Sequence, residues 1–300
     1  MVLKTNYSYL TTLTLVLMLT ACSSDPDLQT PAEKEIQLFS QVDQSTRAAD
    51  NAANLQVSQL ASGTKITVKV KENAATPSVD YALATYTADG SGGLSLPEGL
   101  KQYYPANGNG VNIYAFHPMG VGTTFEVQTD QKTDANYIKS DLMWASLSNI
   151  TAESTPAQRT LVFGHKLSKI VVTIQKTEEF SGTDLATATL KLGNDNLVTS
   201  GTFVAATGTF TPATSGTGTI TLAENAGTAT YTAIVVPQPI LGRKINLTIG
   251  EISSSYSILT ESFDPGKRYT YVLTVGLSGK ITLIRSDITD WQDVEIKKDM

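Results

Sequence analysis

Apolar residues that recur at every second position dominate this chain from Lys65 onward, and they leave few folds open to it. In Lys65 to Lys71, Ile66, Val68 and Val70 share one face, while Lys65, Thr67, Lys69 and Lys71 share the other. Successive side chains of a β-strand point to opposite faces, so this reads as a half-buried strand with a lysine-rich outer face. Lysines in that position also discourage edge-to-edge pairing. Val79 to Thr87, Val111 to Phe116, Leu161 to Phe163, Leu167 to Gln175 and Ala186 to Leu192 read as further strands. The series continues through Gly201 to Phe210, Gly218 to Leu222, Thr228 to Val236 and Lys244 to Gly250. Tyr256 to Leu259, Arg268 to Gly276 and Lys280 to Arg285 complete it. Gly90 to Gly93 is a turn cluster, and Asn107-Gly108-Asn109-Gly110 reads as a hairpin signal. Only Ser140 to Leu147 reads as short helical or irregular. Short strands at close spacing with Gly, Pro and Asn-Asp turns predict an all-β chain of antiparallel β-sandwiches. The polar loop Thr151 to Gln158, which contains Pro156, sets a predicted boundary between domains at 48–157 and 158–300.

Hydrophobic residues make up 41% of the 300, enough to build two cores, so a mostly disordered chain is excluded. The net charge is −6 and no basic block occurs, which argues against nucleic acid as a partner.

The N-terminus has a different character. Lys4 precedes an apolar run from Leu10 to Leu19, which ends in Leu19-Thr20-Ala21-Cys22. A charged start, a short apolar centre and small residues at the end are the layout of a secretory signal, here residues 1–21. Thr11, Thr12 and Thr14 make the run too short and too polar for a membrane span of about 20 apolar residues. Cys22 is the only cysteine, and its setting resembles the bacterial lipobox, whose thiol carries lipid such as palmitate. The chain therefore reads as an exported lipoprotein with no internal disulfide. Two or more acyl chains would hold it firmly. Ser23 to Pro31 follows as a polar tether. Next, Glu33 to Val42 reads as a strand with Ile36, Leu38 and Val42 on one face, interrupted by Ser40. It stops at Gln44-Ser45-Thr46-Arg47-Ala48, which carries the first arginine. By its residues alone, Arg47 is a solvated side chain in a linker.

Catalytic constellations are thin. His117 and His165 lie far apart, each beside an apolar strand, and each reads as a structural hydrogen-bonding group. No Gly-x-Ser-x-Gly, His-Glu-x-x-His or phosphate-binding glycine loop occurs. Asp287 and Asp290 precede Trp291 in a strand-like run, where a turn or cap is the simpler reading than a glycosidase pair. We expect no enzyme activity, no metal and no cofactor. Among the aromatics, Trp144, Tyr103 and Tyr104 are candidate glycan or adhesive contacts, and the bland alternative is core packing.

Several motifs, in order, resemble the fimbrillin family, the Mfa-like branch of the type V pilins. They include the lipobox with its acidic tether and Ser45-Thr46-Arg47-Ala48, then Tyr103-Tyr104-Pro105 ahead of Val111-Asn112-Ile113-Tyr114-Ala115-Phe116-His117-Pro118. Asp141-Leu142-Met143-Trp144-Ala145 and Leu161-Val162-Phe163-Gly164-His165-Lys166-Leu167-Ser168-Lys169-Ile170 form the most recognisable pair. Tyr231-Thr232-Ala233-Ile234-Val235-Val236-Pro237-Gln238, Gly266-Lys267-Arg268-Tyr269 and Ile288-Thr289-Asp290-Trp291 close the series. One departure is that no tryptophan follows Arg47, with Leu55 or Val57 left to stand in for it. The resemblance implies two tandem sandwiches of Greek-key, transthyretin-like type in a fimbrial precursor. It further implies that a trypsin-like protease cuts between Arg47 and Ala48 and removes the strand bearing Ile36, Leu38 and Val42 together with the lipid. Another pilin subunit would then fill the vacated groove by β-strand addition, with a donor within Ile281 to Ile296. The polymer would be head-to-tail and open-ended, serving adhesion to a host or bacterial surface. The competing reading is a monomeric outer-membrane lipoprotein that binds glycans through exposed aromatics.

Overall fold

A computed structural model describes residues 34–42, 59–178, 185–225, 227–276 and 280–291. Its first half is built on strands β1 (Leu38–Val42), β2 (Lys65–Glu72), β3 (Ala84–Ala88), β4 (Gly93–Ser95), β5 (Val111–His117), β6 (Thr124–Glu126), β7 (Met143–Ile150) and β8 (Thr160–His165). All but β6 join one sheet, in the order β1-β4-β3-β2-β5-β7-β8, and the sheet curls until β8 meets β1. The all-β expectation holds, and closure of this sheet leaves the barrel without an open edge. Neighbours are antiparallel except β1 and β8, which run parallel. Ile66, Val68 and Val70 turn inward and meet Ile113, Ala115, Leu161 and Phe163 in one core.

The Asn-Gly stretch does not close a hairpin, because β4 pairs with β1 and β3 and β5 pairs with β2 and β7. Its asparagines instead bind a buried carboxylate. Asn107 and Asn109 each donate from Nδ2 to Glu72 Oε1 at 2.7 Å. Ser78 donates to Oε2 from both its backbone N–H and its hydroxyl, the latter at 2.6 Å. Hydrogen bonds to the charged form, led by Ser78 and then the two asparagines, draw the Glu72 pKa from 4.5 down to about 2. A depressed carboxylate pKa contributes stability that is full above pH 4.5 and is lost as pH falls towards 2. Urea unfolding of Glu72→Gln should therefore show a lower midpoint than wild type at pH 7. The gap should close between pH 4.5 and pH 2, and a gap that persists at pH 2 would rule out the carboxylate as its source.

The one α-helix among the described residues, α1 (Asp134–Ser140), lies before the stretch Ser140 to Leu147 rather than in it. Thr133 caps it by accepting from Asn136 N, and Asp134 sits in the positive first turn. Met143 to Leu147 is strand. Its alternation is hidden in the sequence because Trp144 is apolar on the face opposite Met143 and Ala145, and that face is covered as well.

The second half carries β9 (Ser168–Lys176), β10 (Thr189–Leu197), β11 (Ser200–Val204), β12 (Thr209–Pro212), β13 (Gly218–Thr221), β14 (Ala223–Asn225) and β15 (Thr230–Val235). It ends with β16 (Gln238–Pro239), β17 (Lys244–Ile249), β18 (Ile252–Ser257), β19 (Ser262–Phe263), β20 (Lys267–Val275) and β21 (Ile281–Asp290). A five-stranded sheet, β14-β15-β9-β20-β21, and a four-stranded sheet, β13-β10-β17-β18, share the second core. In the first, β9 and β20 run parallel. The small pair β16 and β19 lies apart, while β6 crosses over to pair with the hairpin β11–β12. Phe116, Phe125, Tyr137 and Leu142 from the first half also enter the second core. The chain from Glu33 onward is thus one compact unit with two cores. Thr160–His165, assigned from sequence to the second domain, completes the first barrel, because β8 pairs with both β1 and β7. A division by core falls after His165 rather than at 157.

Candidate functional site: the first strand and its groove

β1 is the element that closes the barrel. Leu38 pairs with Leu94 and Phe39 with Gly93 on one side, and Phe39 to Val42 pair with Thr160 to Phe163 on the other. Ahead of the strand, Ile36 N donates to Gln102 O at 2.8 Å and Tyr104 N donates to Lys34 O at 3.0 Å. Ile36, Leu38 and Val42 are buried in the barrel core. Ser40 does not interrupt their face but continues it, at 3% exposure. Its N–H donates to Gly92 O at 2.6 Å. Gly92 has φ +101, a conformation that side chains resist, so the turn before β4 depends on glycine there. On the outer side, the Arg159 guanidinium lies 6.0 Å from the Phe39 ring centroid.

β8 connects this groove to the C-terminal strand. Two residues past Phe163, the partner of Val42, His165 stacks on Trp291 with centroids 3.9 Å apart and planes 5° from parallel. His165 Nδ1 donates to Asp141 Oδ1 at 2.8 Å, and His117 Nδ1 donates to the Asp141 backbone carbonyl at 3.0 Å. Asp141 N in turn donates to Ile138 O and ends α1. Burial pushes the His117 pKa below the ordinary histidine range, so this ring is neutral. Asp141 therefore ties β5, β8 and α1 together. Both histidines are structural hydrogen-bonding groups, as read from the sequence. Trp291 N also donates to Gly266 O at 2.7 Å, which fixes the end of β21.

The other candidate residues fall in three places. Cys22, Arg47 and Ala48 lie outside the described residues, as do residues 1–33 and Leu55 and Val57. Tyr104 is buried in the barrel core, and Tyr103 sits beside it, its N–H donating to the Tyr81 hydroxyl at 2.9 Å. Trp144 is partly buried against the second core. Its Nε1–H donates to Ala205 O at 2.8 Å, and the Lys166 ammonium lies 4.9 Å from its ring. Gly208 passes so close that a Cβ there would stand 2.2 Å from Trp144 Cδ2, and its φ is +67. Trp144 docks the β11–β12 turn through these contacts. Packing is the role the geometry gives to Trp144 and Tyr104. Asp287 pairs with Arg285 at 3.0 Å on the exposed edge of β21. Among the described residues, no group of three or more His, Cys, Asp or Glu side chains is placed to hold a metal ion.

These features define a class: an all-β protein whose barrel is completed by its own N-terminal strand, followed by a two-sheet sandwich. A profile described as fimbrillin-like matches residues 46–291, and the chain belongs to that family. The match begins beyond β1. Among solved structures, a candidate cell adhesion protein of Bacteroides uniformis is similar at 23% identity and a TM-score of 0.64, covering 87% of this chain and 99% of the other. Another, of Bacteroides ovatus, is similar at 19% identity and a TM-score of 0.65, again covering 87% and 99%. At these identities the likeness establishes the fold. No curated protein sequence matches this one significantly.

Proposed function

We propose that the protein is a subunit of a cell-surface fimbrium, assembled when a protease removes its first strand and a strand from another copy takes the vacated groove. The observation that carries this reading is the position of β1. It lies between β4 and β8, buries Leu38, Ser40 and Val42 with Ile36 just ahead of them, and is followed by the segment that contains Arg47. The family match supports it, since that match starts just ahead of Arg47 and leaves β1 outside. Loss of β1 would leave an apolar groove and two rows of unpaired backbone groups, a state that favours capture of another strand. In this scheme Cys22 anchors the precursor to the outer membrane through lipid, and a trypsin-like protease cuts between Arg47 and Ala48. The donor lies within Ile281 to Ile296, and the polymer serves adhesion to a host or bacterial surface. The protein's role is structural rather than enzymatic.

Trypsin treatment of the folded chain from Ser23 onward tests the scheme. A single early cut after Arg47 should appear by N-terminal sequencing, with conversion to ladders of SDS-resistant multimers. Arg47→Ala should stay uncut and monomeric. Polymer formation by Arg47→Ala at the wild-type rate would place the processing site elsewhere.

A further inference from the structure

The groove has a readable side-chain pattern, and so does the free edge of the second half. β1 turns an apolar, a small polar and an apolar residue inward at alternate positions: Leu38, Ser40 and Val42. Within residues 281–300 one frame repeats that order, Ile284, Ser286 and Ile288. These three lie on β21, an edge strand that among the described residues is hydrogen-bonded only to β20. Ile284 and Ile288 are each 57% exposed, an unusual place for isoleucine on an edge. A bulge between the pairs Leu273–Leu283 and Val272–Arg285 leaves Ile284 out of register. As a result Leu283, rather than Ile284, shares a shallow cavity with Ser286 and Ile288. A straightened strand would present Ile284, Ser286 and Ile288 on one face and Arg285, Asp287 and Thr289 on the other.

We infer that residues 284–288 of a second copy enter the groove in the direction of β1, with Ile284, Ser286 and Ile288 in the places of Leu38, Ser40 and Val42. The inference rests on the strand-exchange reading and specifies its contacts. Direction follows from the flanking position. Running as β1 does, the donor sets Thr282 where Ile36 now lies. Reversed, it would set the Asp290 carboxylate among apolar side chains, which is costly without a partner. Serine at the centre matches the place it would take, because the Ser40 side chain is buried beside Gly92, whose carbonyl its hydroxyl meets at 3.4 Å. Leaving its own subunit, the donor exchanges one hydrogen-bonded neighbour for two and buries two exposed isoleucines.

Cysteine pairs test both register and direction. Leu38 lies directly across from Leu94, within reach of a disulfide, so a donor residue in the Leu38 place can be trapped there. In a full chain carrying Cys22→Ser, Leu94→Cys with Ile284→Cys should give disulfide-linked multimers after trypsin and mild oxidation. Leu94→Cys with Ile288→Cys should not. Ser286→Leu alters a residue exposed in its own subunit, so the monomer should fold and be cut normally while multimer falls at least tenfold. Thr289→Leu should leave multimer at the wild-type level. Cross-linking through Ile288 instead would overturn the direction, and multimers that cross-link through neither would put another segment in the groove. In both cases strand exchange itself would stand. Absence of multimer from cut wild-type protein would overturn strand exchange and this inference together.

Discussion

Replacing Leu38 with alanine is expected to destabilise the protein by about 3 kcal/mol, within the range for truncating a buried leucine. For a chain of this size that corresponds to a fall in Tm of roughly 6–10 °C. Leu38 is among the largest fully buried side chains and stands at the centre of the barrel core, although it sits on a five-residue strand near the N-terminus. A neighbour on the same strand gives the contrast. Gln41 points outward and is exposed, so Gln41→Ala should stay within about 0.5 kcal/mol of wild type. Differential scanning calorimetry of the uncut chain would separate the two. Equal, small shifts for Leu38→Ala and Gln41→Ala would mean that β1 does not fill the barrel in solution. The groove would then have to be sought elsewhere.

Under the proposed strand exchange, the same magnitude would make assembly wait for a protease. Burying Ile36, Leu38 and Val42 contributes about 2 kcal/mol each, roughly 6 kcal/mol together, before any backbone hydrogen bond is counted. Each 1.4 kcal/mol is tenfold in population, so β1 would leave unaided in about one molecule in ten thousand or fewer. A covalent link keeps the strand at high effective concentration beside its groove even then. Cutting that link lets a departed strand diffuse away, and a donor from another copy then competes for an open site. Capture by a second copy needs little further driving force once return has become bimolecular.

How much of this was legible in the sequence depends on what covers each face. Lys65–Glu72 was plain because its outer lysines face water, and period two shows wherever one face is wet. Met143–Ile150 was obscured because Trp144 lies under the β11–β12 turn, so both faces near it are apolar. The Asn-Gly run carried a genuine turn signal, but local turn chemistry does not state which strands pair, and here its side chains serve Glu72 instead of a hairpin. Ser40 reads as a break in β1 because it is polar, although it is small enough to be buried there. The clasp of Asp141, His165 and Trp291 joins residues 24 and more than a hundred positions apart, a distance at which spacing carries no information. Its parts were nonetheless among the motifs that pointed to the family. Closure of the barrel by a parallel β1–β8 pair was likewise hidden, since sequence pattern is blind to the direction of pairing.

Asp141→Ala should have the second large effect, because it removes one partner of a buried pair. The His165 Nδ1–H would be left without its acceptor in an enclosed site, for which a cost of about 3 kcal/mol is expected. Asp141→Asn keeps the shape and an oxygen that can accept from His165, so it should cost only about 1 kcal/mol. A global loss of packing would not distinguish the two substitutions from any other core change, but the Trp291 stack does. Trp291 and Trp144 are the only tryptophans, so in a Trp144→Phe background the fluorescence reports the ring on His165. Asp141→Ala should shift that emission towards the red and raise quenching by iodide below the unfolding transition, as the imidazole loses its anchor and the end of β21 loosens. Asp141→Asn should leave the emission close to wild type. Unchanged Trp291 emission in Asp141→Ala would mean that the strand end is held without the histidine beneath it, by contacts that include the backbone bond from Trp291 to Gly266.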